Sequence, residues 1–347
     1  MSFNIALLPG DGVGLEVTNA ARLVMTAAAK RYDQSIEFHD YLFGGAAIDQ
    51  CGDPFPAETQ KACMDVDAVF LGAVGGPKWE GSDIRPEAGL LALRKKLGLF
   101  ANLRPTTVRP GMEALSPLRT ERAKGVDLLI VRELIGGLYF GDREEGSEQA
   151  SDQCVYTRNE INRIARVAFE AARKRKAHVT SVDKANVLAT SRLWRRCVIE
   201  LHQAEYTDVK LDHVLVDAMA MKLIQAPAKF DVILTENLFG DILSDEASVI
   251  AGSIGLAPSA SLGEGRIGLY EPIHGSAPDI AGQDKANPVG AILSAAMLFR
   301  HSLGAEEAAL SIENAVDVAI NEGVGTADIG GKGGCKSFTE TIGGLIT

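Results

Sequence analysis

The chain has 347 residues, 46% of them apolar and 23% charged, proportions that support a sizeable core and about two domains at ~150 residues each. Lys and Arg number 35 against 46 Asp and Glu, and the net charge of −11 argues against nucleic acid and anionic membranes as main partners. Met1–Ala6 has no basic leader pattern, no apolar run nears the ~18 residues of a spanning helix, and the five cysteines lack CxxC spacing, so a reduced, cytoplasmic protein is expected.

Short apolar runs alternate with helical patterns, which predicts an α/β fold with a largely parallel sheet. Asn4–Leu8 reads as a strand, Pro9–Gly14 as a tight turn and Leu15–Arg31 as a helix. The turn is not the dinucleotide fingerprint, because G-x-G-x-x-G fails at Leu15 and Glu37 is a poor ribose partner; a Rossmann fold is not predicted. No G-x-x-x-x-G-K-[ST] occurs, so a P-loop is excluded. Ala68–Leu71 is a second strand, broken by Gly72 and by Gly75-Gly76-Pro77. The acidic segment Gly141–Thr157 leaves the sheet either as a hairpin arm for subunit contact or as a solvated loop. Arg158–Lys176 is a helix with Ile161, Ile164, Ala165, Ala168 and Phe169 at core spacing, and Pro288–Leu303 and Ala305–Asn321 are two more. No linker composition marks a domain boundary, which admits domains assembled from separate segments.

Four central strands end in polar residues. Asp127–Val131 runs into Arg132-Glu133, His178–Val182 into Asp183-Lys184, Asp212–Val216 into Asp217, and Phe230–Thr235 into Glu236-Asn237. Ligands of open α/β sheets bind outside the carboxyl ends of the strands, so these charges predict one site of mixed sign. In Glu236–Asp245 the carboxylates of Asp241 and Asp245 stand four residues apart, on one helix face. Unpaired they repel, by a few tenths of a kcal/mol, whereas a hard divalent cation would be held by them. Arg94, Arg104 and Arg132 offer planar forks for a polycarboxylate substrate. Tyr139, in a glycine-flanked segment, can act as a general acid, and Lys184, beside a cation, as a base. The stretch Leu269–Gly282 is too polar for core and reads as a loop able to wrap a nucleotide.

Together these stretches resemble the β-decarboxylating dehydrogenases, the family of isocitrate and isopropylmalate dehydrogenases. Leu8–Gly14, Gly75–Trp79, Asn102–Pro105, Val182–Asn186, Asn237–Asp245 and His274–Ile280 occur in family order, and the resemblance covers nearly the whole chain. Arg85–Arg94 is similar to the isopropylmalate-type members: there Leu90 and Leu91 would pack on the isopropyl group, with Glu87 near both that pocket and the cofactor. The resemblance implies a two-domain fold with an interdomain active-site cleft whose closure gates catalysis. One domain would join residues 1–99 with 251–347, and the other would span 100–250 and carry dimer contacts that include a 135–157 arm.

It further implies a role for each matching residue. Arg94, Arg104 and Arg132 would bind the malate carboxylates. Asp217, Asp241 and Asp245 would hold Mg²⁺ or Mn²⁺, with Asp217 also near the substrate. Lys184 would take the C2 hydroxyl proton as hydride leaves for NAD, the metal would stabilise the enolate formed as CO₂ departs, and Tyr139 would protonate C3. Lys184 and Asp217 would come from the partner subunit of a homodimer. Gly75, Gly76, Pro77, Lys78, Glu87, Glu271, His274, Gly275, Ser276, Ala277, Pro278, Asp279, Ile280 and Asn287 would line the cofactor. Asp279 would accept hydrogen bonds from the ribose hydroxyls and repel a 2′-phosphate, favouring NAD over NADP. A sister enzyme for homoisocitrate, isocitrate, tartrate or D-malate is disfavoured by the Leu90-Leu91 pair. Phosphoryl transfer lacks a phosphate-cradling loop, and a non-catalytic descendant would not need Tyr139 and Lys184.

Overall fold

The protein is described by a computed structural model covering residues 2–346. Met1 and Thr347, the outermost residues of the expected first domain, lie outside the described residues. The chain forms two compact units, one running to Leu99 and resuming at Ser253, the other spanning Phe100–Gly252.

In the first unit the strands run side by side in the order Ser35–Asp40, Ser2–Gly10, Ala68–Ala73, Leu269–Pro272 and Pro258–Leu262. The last pair is antiparallel and the others are parallel. Ile5–Leu8 and Val69–Leu71 are fully buried, as expected of strands covered on both faces, which read as unbroken apolar runs. Helix Gly14–Arg31 packs on helices Val289–His301 and Cys335–Leu345. Val289–Phe299 is buried on every side, so this helix belongs to the core and does not lie on it as an amphipathic surface element.

One prediction is corrected here. Leu269–Pro272 is a buried strand and not the start of the polar loop. Its polar atoms are satisfied inside the protein: the Tyr270 hydroxyl bonds Ser302 Oγ at 2.7 Å, and Glu271 accepts from Arg94 at 2.8 Å. Once paired, a tyrosine and a glutamate can be buried at little cost.

In the second unit the strand order is Ala101–Thr107, Asp127–Glu133, Val232–Thr235, His178–Asp183 and Lys210–Leu215. The first pair is antiparallel and the remaining pairs are parallel. Thr235 lies opposite Arg132 on one side and Val182 on the other, and Asp183 lies beside Leu215. The four strand ends singled out in the sequence therefore share one edge. Beneath it, Leu128, Ile130, Val182, Ile233 and Leu243 belong to one buried cluster. Helix Arg158–Arg173 opens with a reciprocal cap between Thr157 and Glu160 and packs against helix Ala189–Glu205. Between the second strand and that helix, Arg143–Glu145 and Ala150–Asp152 pair as an exposed antiparallel hairpin.

Candidate active site

In the second unit, strand Val232–Thr235 ends at Glu236, whose carboxylate caps helix Asn237–Ile250 by accepting from the Phe239 amide at 3.3 Å. Burial pushes the Glu236 carboxyl up to about 7. The helix lies directly on Arg132, because a Cβ at Gly240 would stand 2.6 Å from Arg132 Cγ. Arg132 is 2% exposed and donates through Nε and Nη2 to Asn237 Oδ1 at 3.1 and 2.7 Å, and through Nη1 to Asp241. The Asn237 amide is itself fixed, donating to the carbonyls of Leu134 and Gly136. Arg104 donates through Nε to Asn102 Oδ1 at 2.8 Å and through Nη1 to Ser244 Oγ at 2.7 Å and Asp245 Oδ1 at 2.9 Å.

Tyr139 donates its hydroxyl to Asp241 Oδ2 at 2.8 Å, with the Arg132 guanidinium over its ring. Burial and the Asp241 carboxylate push that hydroxyl up to about 12, so it carries its proton at neutral pH. Lys184 Nζ lies 2.7 Å from Asp217 Oδ1, and this bond holds the Asp217 carboxyl below the ordinary range. Asp217 stands in the first turn of helix Val216–Gln225 and is well exposed.

The second unit thus gathers Arg104, Arg132, Tyr139, Asp241 and Asp245 around one helix face and pairs Lys184 with Asp217. Not every strand-end charge joins them. Glu133 is fully buried and accepts from the Gly136 amide and Arg163, and Asp183 is buried in a two-bond pair with Arg195. These two acids brace the fold, which corrects the reading of all four ends as ligand-facing; a buried carboxylate demands partners of its own. Hard oxygen donors four residues apart suit Mg²⁺ or Mn²⁺, and the neighbouring guanidinium groups balance their charge. Among the described residues of the single chain, no three acidic, His or Cys side chains converge as a metal site.

In the first unit, helix Pro86–Lys96 presents Glu87, Leu90, Leu91 and Arg94 at spacings of three and four, on one face. Leu90 leans on the core and Leu91 is half-buried. Arg94 is held by Glu271, while its buried Nε has no partner. A Cβ at Gly75, where φ is +99°, would stand 2.5 Å from Glu87 Oε1, so glycine lets Glu87 reach this turn. Next to Gly76 and Pro77, Lys78 is exposed and pairs with Asp49.

The loop His274–Ile280 follows the buried strand. His274 Nδ1 lies 2.9 Å from the Gly275 carbonyl, and its shielded Nε2 has no partner. An unsatisfied ring nitrogen at this position leaves a polar atom available to a ligand, and the expected dinucleotide is one that could use it. Ser276 is buried, whereas Gly275, Pro278 and Asp279 are exposed and Ala277 and Ile280 half-buried. Asn287 donates to Asp328 Oδ2 at 2.9 Å and accepts from the Val289 amide at 3.0 Å. The bracing roles of Asp328, Asn237, Asn102 and Ser244 escape the sequence reading, because each acts on a residue whose need for it is not visible in the local pattern.

This α/β fold, with its clustered arginines and paired acids, suits a dehydrogenase acting on a polycarboxylate. The isocitrate/isopropylmalate dehydrogenase family model matches residues 4–342, and the chain belongs to this family, whose dehydrogenase chemistry implies a nucleotide cofactor and a divalent metal. The 3-isopropylmalate dehydrogenase of Oleidesulfovibrio alaskensis is 54% identical over 355 residues, covering 100% of this chain and 99% of that protein. That of Staphylococcus saprophyticus is 55% identical over 333 residues, covering 96% of each. Among solved structures, isocitrate dehydrogenase from Methylococcus capsulatus matches with a TM-score of 0.89 at 34% identity, covering 99% of both chains. A β-decarboxylating dehydrogenase from Thermococcus kodakarensis matches with a TM-score of 0.81 at 40% identity, covering 99% of this chain and 96% of that one.

Proposed function

We propose that this chain catalyses the NAD-dependent oxidative decarboxylation of 3-isopropylmalate to 4-methyl-2-oxopentanoate and CO₂, in leucine biosynthesis. The observation that carries the substrate choice is the helix face on which Leu90 and Leu91 stand beside Arg94, with its unpartnered Nε. An apolar pair next to a guanidinium suits a carboxylate bearing a branched alkyl group. Isocitrate would bring a third carboxylate there, with no hydrogen-bond donor from either leucine. The full-length relatives of this name at 54–55% identity support the same choice.

Arg94, Arg104 and Arg132 bind the malate carboxylates, and Asp241 and Asp245 hold the cation together with Asp217 of a second copy of the chain. The cation supplies Lewis-acid polarisation of the C2 oxygen, and NAD supplies the hydride acceptor. Lys184, whose Nζ donates to Asp217 Oδ1 at 2.7 Å, would be the base that takes the C2 hydroxyl proton. Tyr139, protonated at neutral pH, delivers its proton to C3. Asp279 receives the ribose hydroxyls and disfavours a 2′-phosphate, while Gly75–Lys78, Glu87, Glu271, His274–Ile280 and Asn287 line the dinucleotide.

The homodimer is supported by apolar side chains left in solvent on the two helices that carry the acids: Met221 and Ile224 on one, Ile242 and Val249 on the other. The same-chain pairing of Lys184 with Asp217 agrees with both residues being lent to a partner's site. The free state of all five cysteines supports the cytoplasm as the compartment.

The reading is tested by product stoichiometry with 3-isopropylmalate, NAD and Mg²⁺. Equal amounts of NADH, CO₂ and 4-methyl-2-oxopentanoate are expected, all lost on adding EDTA. NADH without CO₂, or full turnover in EDTA, would overturn it.

A further inference from the structure

The turn Pro9–Gly14 has no part in the chemistry above, yet it holds a buried acid that pairs with no cationic side chain among the described residues. Asp11 is 6% exposed. Its Oδ2 accepts from the amides of Gly45 at 2.9 Å and Gly75 at 2.8 Å, and its Oδ1 accepts from Ala46 at 2.8 Å. Gly45 and Ala46 lie in the first turn of helix Gly44–Cys51, so that end of the helix faces the carboxylate. Three N–H donors and a helix end offset part of the cost of burying this charge, and burial still raises the Asp11 carboxyl above the ordinary range.

The backbone around Asp11 grips a second segment. The Asp11 amide donates to the Ala73 carbonyl at 2.8 Å, and the Val13 amide donates to the Ser276 carbonyl at 2.8 Å. Gly12, at φ +55°, lies so close to Ser276 that a Cβ would stand 2.8 Å from its carbonyl carbon. One short turn therefore touches both Gly75, through a side chain, and Ser276, through its backbone. These are the two stretches assigned to the dinucleotide, 201 positions apart in the chain (276 − 75).

We propose that Asp11 is a positioning residue for the dinucleotide, its buried carboxylate holding the Gly75 turn in register with the Ser276 loop. This inference rests on the NAD reading. Asn cannot replace Asp here, because an amide offers one acceptor oxygen where the site presents three donors on two atoms. Whichever way it is turned, an Asn NH₂ faces at least one backbone N–H.

The test measures steady-state kinetics and NADH binding by nucleotide fluorescence for wild type, Asp11→Asn and Asp11→Glu. Asp11→Asn is expected to raise the KM for NAD and the Kd for NADH by about tenfold or more, as loss of a charge-assisted bond implies, with the KM for 3-isopropylmalate nearly unchanged. Asp11→Glu, which keeps the charge but displaces it, is expected to recover part of the NAD affinity and no more. An unchanged KM for NAD in Asp11→Asn, or an equal fall in every parameter, overturns the inference while leaving an active wild type and its NAD reading intact. Failure of the wild type itself to use NAD defeats that reading instead. Hydrogen exchange on the wild type needs no variant: NAD should protect the segments around Gly75 and Ser276 together, at one NAD concentration dependence. Separate dependences overturn the coupling.

Discussion

Arg132 and Tyr139 both meet Asp241, yet the two contacts do opposite work. The guanidinium pairs with the carboxylate's charge, while burial first and then the carboxylate keep the tyrosine protonated. The roles proposed for Lys184 and Tyr139 predict different failures on substitution. Lys184→Met should lower turnover ~100-fold or more, the range of a lost general base. Tyr139→Phe should still oxidise substrate but slow the decarboxylation and protonation half, so that NADH forms faster than 4-methyl-2-oxopentanoate in a single turnover. Parallel formation of both products in Tyr139→Phe would remove Tyr139 from that step. Residues of this kind were legible because a charge at the end of a buried strand, or a hydroxyl among glycines, adds little to a core. Neutral partners were not. Asn237 is 105 positions from Arg132, and Ser244 is 140 from Arg104, so nothing local announces what they hold. Glu271 and Arg94, 177 positions apart, are each visible alone, but their pairing is not.

At the scale of elements, helix Asn237–Ile250 depends on a cap with an unusual charge balance. The Glu236 carboxyl titrates near about 7 in the fold, against an ordinary 4.5. The folded state therefore binds this proton more tightly than the unfolded chain, and stability falls as pH rises from about 4.5 through about 7. At about 1.4 kcal/mol per pKa unit the loss is on the order of 3 kcal/mol above that window. Glu236→Gln removes the titration and can keep the oxygen that accepts from Phe239. Its Tm should gain on the wild type between about pH 5 and about pH 8, and a difference that stays constant would contradict the shift. The elements themselves were largely legible, since buried parallel strands appear as unbroken apolar runs such as Ile5–Leu8 and Val232–Leu234. Leu269–Pro272 was not, because its Tyr and Glu read as exposed until Ser302 and Arg94 are found beside them.

For the whole molecule, the first unit leaves off at Leu99 and resumes at Ser253 without a Pro-rich or low-complexity linker at either point. Composition alone cannot mark such a break, because each crossing is a single ordinary stretch of chain. Residue patterns pointed to the carboxyl edge of the second unit and the acids on it, and the family resemblance supplied the assignment of partners across the sequence. A single chain leaves Met221 and Ile242 in solvent, and the proposed second copy would cover these apolar faces and complete the set of acids around the cation.

In the proposed function Leu90 and Leu91 choose the substrate and Asp279 chooses the cofactor. Comparing kcat/KM for 3-isopropylmalate, isocitrate and D-malate, each with NAD and with NADP in Mg²⁺, tests both choices at once. 3-Isopropylmalate with NAD should exceed every other combination by at least about tenfold, the discrimination an apolar pocket provides for a branched alkyl group. Preference for isocitrate or D-malate, or equal use of NADP, would contradict these assignments.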